Sequence, residues 1–171
     1  MITQNLETIA RMSCNPAMGG VAKGQILREI DALGGMSAIV TDESMIQFRM
    51  LNRSKGPAVH GPRSQADRTL YKKSVQEILL NQQKIRVIEG FVDDLIIDNR
   101  EIKGVVLNND KKFFCSSLVI TTGTFLGGKI FVGNESFEAG RIGDKSSSKL
   151  SKKIRNLGFP VGRLKTGTPP R

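Results

Sequence analysis

Apolar residues recur along this chain with two periods, one helical and one alternating. Val21, Ile26, Ile30 and Leu33 approximate one helical face, and Gly34-Gly35 supply a stop, so the spacing predicts a helix over 21–33. Ala66, Leu70, Val75, Ile78 and Leu79 make a second stripe, predicting a helix over 64–81 with Ser64 and Asp67 spaced as a capping box. Met1 to Asn5 reads as the end of a strand. A short strand is expected over 85–88, and a hairpin from 92–97 and 102–107 around Asp98-Asn99-Arg100-Glu101. Lys112 to Cys115 pairs back after the turn Asn108-Asn109-Asp110, with Cys115 structural. Residues 117–122, Ser-Leu-Val-Ile-Thr-Thr, have the continuous apolar character of a buried parallel strand. A basic helix is expected over 148–156 with Leu150 and Ile154 inward.

Two stretches escape this pattern. Residues 36–63 show no sustained period, with turns at Gly56-Pro57 and Gly61-Pro62. That is long for a structureless loop, so it has a binding role or contains short elements that the pattern hides. Arg49, Arg53, Lys55 and Arg63 there suit phosphate contact or simply solvation. His60, the only histidine, is an acid–base candidate or incidental. The other stretch, Met12 to Gly24, holds Cys14, Asn15-Pro16, Gly19, Gly20 and Gly24. Asn15 suits a helix cap and Pro16 the first helical position. Cys14 would then lie beside a helix N-terminus, where a thiolate or a bound anion is favoured. Equally, a lone Cys is a small buried hydrophobe and paired glycines are a turn.

Charge changes the picture more than composition does. The chain has 171 residues and a formal net charge of +10. Residues 141–171 hold nine Lys/Arg against one acid, a net +8, so the excess is regional. Phosphate backbones are natural partners for such a region, and a solubilising tail is the alternative. No apolar run approaches the roughly 20 residues that span a membrane. One His and two distant Cys fit neither a metal site nor a disulfide framework, and a reducing cytoplasm is expected.

Several blocks together resemble one family. They are Met12-Ser-Cys-Asn-Pro-Ala-Met-Gly-Gly20, Glu29 to Gly35, Ile46-Gln-Phe-Arg49, Asn52 to Val59, Gln65-Ala-Asp-Arg68, Thr122-Gly-Thr-Phe-Leu126 and Gly162 to Arg171. In this order and spacing they resemble the tRNA uridine 5-carboxymethylaminomethyl modification enzymes, the MnmG or GidA family. The resemblance implies an α/β fold, a partial FAD-binding Rossmann-like domain with an inserted antiparallel β-layer. It implies a single partial domain over 1–171: strand end and Cys loop 1–35, loop and helix 36–83, β-layer 84–124, basic segment 125–171. Family members begin with a strand and a G-x-G-x-x-G turn for the FAD pyrophosphate, which this sequence lacks, so an early internal piece of a longer enzyme is expected.

The family's chemistry uses FAD, NADH and methylene-tetrahydrofolate to build the group at C5 of the wobble uridine, U34, of certain tRNAs. It works with the GTPase partner MnmE, and the full-length members form homodimers away from the membrane. Carried onto this sequence, Cys14 becomes the catalytic thiol. Asn15, Gly19 and Gly20 line the flavin, Val92 meets the adenine part, and Thr122, Gly123, Thr124 and Ser147 contact the cofactor. Lys145-Ser146 stands where close relatives have Pro-Pro. Arg163, Lys165 and Arg171 fall to tRNA or folate. The competing reading is a basic tRNA-binding fragment without catalysis, or an inactive truncated remnant.

Overall fold

The computed structural model describes residues 1–12 and 15–165. The chain divides into two compact units, Met1–Glu89 and Gly90–Arg171, and each is described by itself.

In the first unit β1 (Ile2–Thr3) pairs in parallel with β5 (Ile88–Glu89). A three-stranded antiparallel sheet has β4 (Gly61–Ala66) between β2 (Ala17–Gly19) and β3 (Met45–Leu51). Helices α1 (Lys23–Ala32), α2 (Ser37–Glu43) and α3 (Arg68–Leu80) complete the unit. The core is Ile9, Val40, Ala66, Tyr71 and Val75, with Met12, Met18, Ile78 and Leu79 packed on it.

Helix α3 falls close to the stripe that predicts it, but its cap differs. Asp67 Oδ1 accepts the N–H groups of Thr69 and Leu70 at 2.8 and 2.9 Å. Ser64 instead belongs to β4 and donates to Met45 Sδ. Two backbone donors satisfied by one carboxylate make the start at Arg68 the better end for the helix. Helix α1 stops as expected, with Gly34 at φ +79° and the Gly35 N–H on Ile30 O at 2.8 Å.

Its apolar stripe does not face the core. Leu33 is 89% exposed, and Val21 and Ile26 are also exposed, while Gly24 is the buried residue. A glycine at that position brings the helix close to the backbone of Gly19. The periodicity therefore finds the helix and misassigns its inner face. Residues 36–63 contain α2, β3 and the first part of β4, with a 3-10 turn at Pro57–Val59. Five of the seven β3 residues are exposed, so no in–out alternation marks the strand.

In the second unit β6 (Val92–Asp98), β7 (Glu101–Leu107) and β8 (Lys112–Phe114) form an antiparallel meander. Asn99 and Arg100, at φ +48° and +66°, make the two-residue turn the sequence predicts. Leu95, Val105 and Leu107 are its buried hydrophobic side chains. Cys115 lies just past β8 and still donates its N–H to Lys103 O at 3.0 Å. A second hairpin, β9 (Lys129–Val132) with β10 (Glu135–Glu138), is unannounced by the pattern, because all of β10 is exposed. Helix α4 (Ser148–Asn156) forms as predicted with Leu150 buried.

The strand expected over 117–122 does not form. No described strand pairs with those residues, and Val119 is 83% exposed. An apolar run becomes a strand only where another strand satisfies its backbone.

Candidate functional site

The residues singled out from the sequence divide between the two units. Asn15, Gly19 and Gly20 belong to the first. Cys14 and Arg171 lie outside the described residues. The helix expected to start at Asn15-Pro16 is absent: residues 17–19 are strand β2, and Pro16 O accepts the Ala66 N–H at 2.7 Å. Residues pledged to a ladder with β4 cannot also make a first helical turn. Helix α1 begins only at Lys23, after Ala22 at φ +69°. The helix start expected to lower the thiol pKa of Cys14 is therefore missing from residues 15–19, which corrects that expectation.

The glycines of this stretch serve a close crossing of backbones. Gly19 sits at φ +107°, and a Cβ there would land well inside 3.0 Å of the Pro62 carbonyl oxygen. That oxygen also accepts the Gly20 N–H at 2.8 Å. From the other side, a Cβ on Gly61 would come within 3.1 Å of the Gly20 backbone. Gly20 itself, at φ +87°, has only Leu51 Cδ1 at 3.6 Å, an ordinary contact. Gly19 is therefore needed for packing and conformation, whereas Gly20 is needed for conformation and keeps free space. Lys23 Nζ donates back to Ala17 O at 3.1 Å, tying the helix start to β2.

The second unit brings most of its expected residues to one corner. Thr122 leads into a 3-10 turn at Gly123–Phe125, and its carbonyl accepts the Phe125 N–H at 3.1 Å. The Phe125 carbonyl then accepts the Ser147 N–H at 2.8 Å and the Ser146 hydroxyl at 3.3 Å. Thr124 Oγ1 reaches Gly140 O at 3.4 Å. Arg141 lies over the Phe125 ring at 5.0 Å and pairs with Asp144 at 2.8 Å. So Thr122, Gly123 and Thr124 are joined to Ser147 through one residue, Phe125, which the sequence does not single out. Ser147 is 4% exposed and is the N-cap of α4, which has no side-chain cap. Gly123, at φ +56°, has open space where a Cβ would point.

Val92 joins this corner through α4. Lys149 Nζ meets Asp93 at 2.6 Å, and Lys153 Nζ meets Asp94 at 2.9 Å. The Lys153 hydrogen bond holds the Asp94 carboxyl below its ordinary value, and the Asp93 hydrogen bond raises Lys149. Two lysines four apart on a helix facing Asp93-Asp94 are a signal the sequence does contain. Arg163 Nη2 donates to Gly127 O at 3.1 Å, while Lys165 is exposed. Among the described residues no group of three His, Cys, Asp or Glu is arranged for a metal, and no helix is long and apolar enough to cross a membrane.

Comparison with known proteins decides the ancestry. The sequence matches the family model described as glucose inhibited division protein A over residues 1–171. The chain belongs to this GidA family. It is similar to Aquifex aeolicus GidA in two crystal forms, 44% identical in each, with TM-scores of 0.91 and 0.90. Each comparison covers 99% of this chain and 28% of the GidA chain, so the sequence spans little more than a quarter of those relatives. A GidA-related protein from Thermus thermophilus shares 18% identity and a TM-score of 0.51 over 69% of this chain and 52% of its own, a likeness of fold. The fold class expected from the sequence stands: α/β, a partial FAD-binding Rossmann-like domain, with β6–β8 as the inserted antiparallel layer.

Proposed function

We propose that this chain is part of a flavoprotein that modifies tRNA, adding the carboxymethylaminomethyl group at C5 of the wobble uridine. The observation that carries this reading is the 44% identity to Aquifex aeolicus GidA across 99% of the chain. Two features fit a dinucleotide cofactor. Gly123 offers bare backbone to open space, and helix α4 has no acidic residue in its first turn. Backbone amides at such places suit a polar, anionic ligand. FAD, when bound, supplies the redox chemistry.

In this reading the chain's own residues bind and orient. The Val92 backbone meets the adenine part, Thr122, Gly123, Thr124 and Ser147 hold the cofactor, and Asn15, Gly19 and Gly20 lie beneath the flavin. Cys14 acts as the catalytic thiol, a role resting on the family resemblance. Arg163, Lys165 and Arg171 contact tRNA or folate through charge. NADH and methylene-tetrahydrofolate serve as co-reactants, MnmE as the GTPase partner, and a homodimer in the cytoplasm as the working form.

The test uses a full-length protein containing this sequence. It is expected to purify with, or take up, FAD by its visible spectrum. Nucleoside mass spectrometry of treated tRNA is expected to show the modified uridine, and Cys14→Ala to abolish it while leaving the flavin bound. A full-length protein that binds no flavin and leaves tRNA unmodified overturns the reading.

A further inference from the structure

The β3–β4 ladder sets Arg49 directly opposite Arg63. Directly opposed residues of an antiparallel pair project from one face with Cβ atoms about 5 Å apart, and like charges so placed destabilise the sheet. Neither arginine forms an ion pair among the described residues. No acid relieves them from nearby sequence either: from Ser44 to Ala66 there is no Asp or Glu, and the cations are Arg49, Arg53, Lys55 and Arg63.

The loop between the strands is ordered by its own bonds. Asn52, at φ +61°, donates through Nδ2 to Val59 O at 3.0 Å, and its carbonyl accepts the Lys55 N–H at 2.9 Å. The His60 N–H closes on Pro57 O at 3.1 Å. An open groove of about 630 Å³ runs along residues 48–54 and is lined by Arg49 and Arg53.

We propose that this basic ribbon is an anion site in which Arg49 and Arg63 share one phosphate group. A bound phosphate turns the repulsive pair into two charge-assisted contacts of the forked geometry that guanidinium favours. Arg53, in the same groove, extends the site toward a second phosphate. The ligand class is a diphosphate or a phosphodiester chain. The proposal rests on the register and the charges, not on the flavin reading.

The test uses the 171-residue chain with two probes, inorganic pyrophosphate and a single-stranded RNA oligonucleotide of mixed sequence. Variants are Arg49→Gln, Arg63→Gln and, as a charge-matched control in the same unit, Lys84→Gln. Pyrophosphate or RNA is expected to raise the thermal midpoint of the parent chain. Each arginine variant is expected to lose about tenfold in affinity, the size of one charged hydrogen-bonding contact. With RNA, each also lowers the salt slope by about one. Without ligand, Arg49→Gln is expected to melt no lower than the parent, because the repulsion is gone. A response to pyrophosphate alone assigns a small diphosphate, and a response to RNA alone assigns a nucleic-acid backbone. Arginine variants indistinguishable from Lys84→Gln, or a parent chain that binds neither probe at low salt, overturn the site. Arg49 is exposed and carries the test by itself if Arg63→Gln misfolds.

Discussion

Gly19→Ala isolates the backbone crossing at the centre of the first unit. The new Cβ would fall inside the 3.0 Å that real Cβ atoms keep from the Pro62 carbonyl oxygen, and the obstacle is backbone. The residue would also keep φ near +107°. Left-handed strain costs an L-residue about 1–2 kcal/mol. Displacing the Pro62 carbonyl loosens its 2.8 Å bond from the Gly20 N–H, a further ~1 kcal/mol. The gain from a stiffer unfolded chain offsets about 0.5 kcal/mol. The net expectation is a loss of about 1.5–2.5 kcal/mol. Gly34→Ala is the control, at φ +79° with nothing within 4 Å of its Cβ position. It carries the strain without the collision and should cost about 1 kcal/mol. The assay is urea unfolding followed by tyrosine emission, since Tyr71 is the only tyrosine, is buried in this unit's core, and has no tryptophan to mask it. Equal losses for the two variants would refute the argument that backbone approach, rather than φ alone, demands glycine at 19.

Three further outcomes follow from the same structure. Asp67→Ala removes the acceptor for two helical N–H groups and should cost about 1 kcal/mol, read as an unfolding shift, with Asp67→Ser recovering most of it. Leu150→Ala empties a position only 3% exposed, so a loss of about 2–4 kcal/mol is expected in the second unit and α4 should lose helical circular dichroism; a change under about 0.5 kcal/mol would contradict the packing. Asp94 titrates below its ordinary value of 3.8, chiefly through Lys153, so its stabilisation is present above that value and is lost as pH falls through the lower folded value. For this half-exposed pair Lys153→Met should cost up to about 1 kcal/mol near neutrality, and the gap should close on acidification below about pH 4; a constant gap down to about pH 2 would disprove the linkage.

Legibility from sequence follows the supply of partners. The 92–107 hairpin is readable because each strand finds its neighbour across a short turn that Asn99-Arg100 can make. Helix α3 is readable because Val75, Ile78 and Leu79 of its stripe pack on the core with Ile9 and Val40, although Leu70 of that stripe is exposed and Tyr71, outside it, is buried instead. The same rules misplace residues 117–122, where Val119 has apolar character but no described strand beside it. Strands β3 and β10 stay hidden for the opposite reason: most of their residues face solvent, so no alternation is written into them. At the site, Cys14 and the glycines stand out by type. The Arg49–Arg63 register and the linking role of Phe125 do not, because each depends on a pairing or fold-back that spacing cannot give.

The glycines show why residue type alone under-determines a cofactor site. Gly19, Gly20 and Gly123 are all cofactor candidates by sequence, and all three have positive φ. They differ in what a side chain would meet. At Gly19 the space belongs to the Pro62 carbonyl, so the bare backbone serves a neighbouring strand. At Gly20 a methyl group would make one ordinary contact, and at Gly123 it would enter open space. A ligand can approach only a face that the protein leaves vacant. Gly123, joined through Phe125 to the buried cap Ser147, therefore keeps open the face that the proposed cofactor contact requires, whereas at Gly19 scaffold demand already explains the residue.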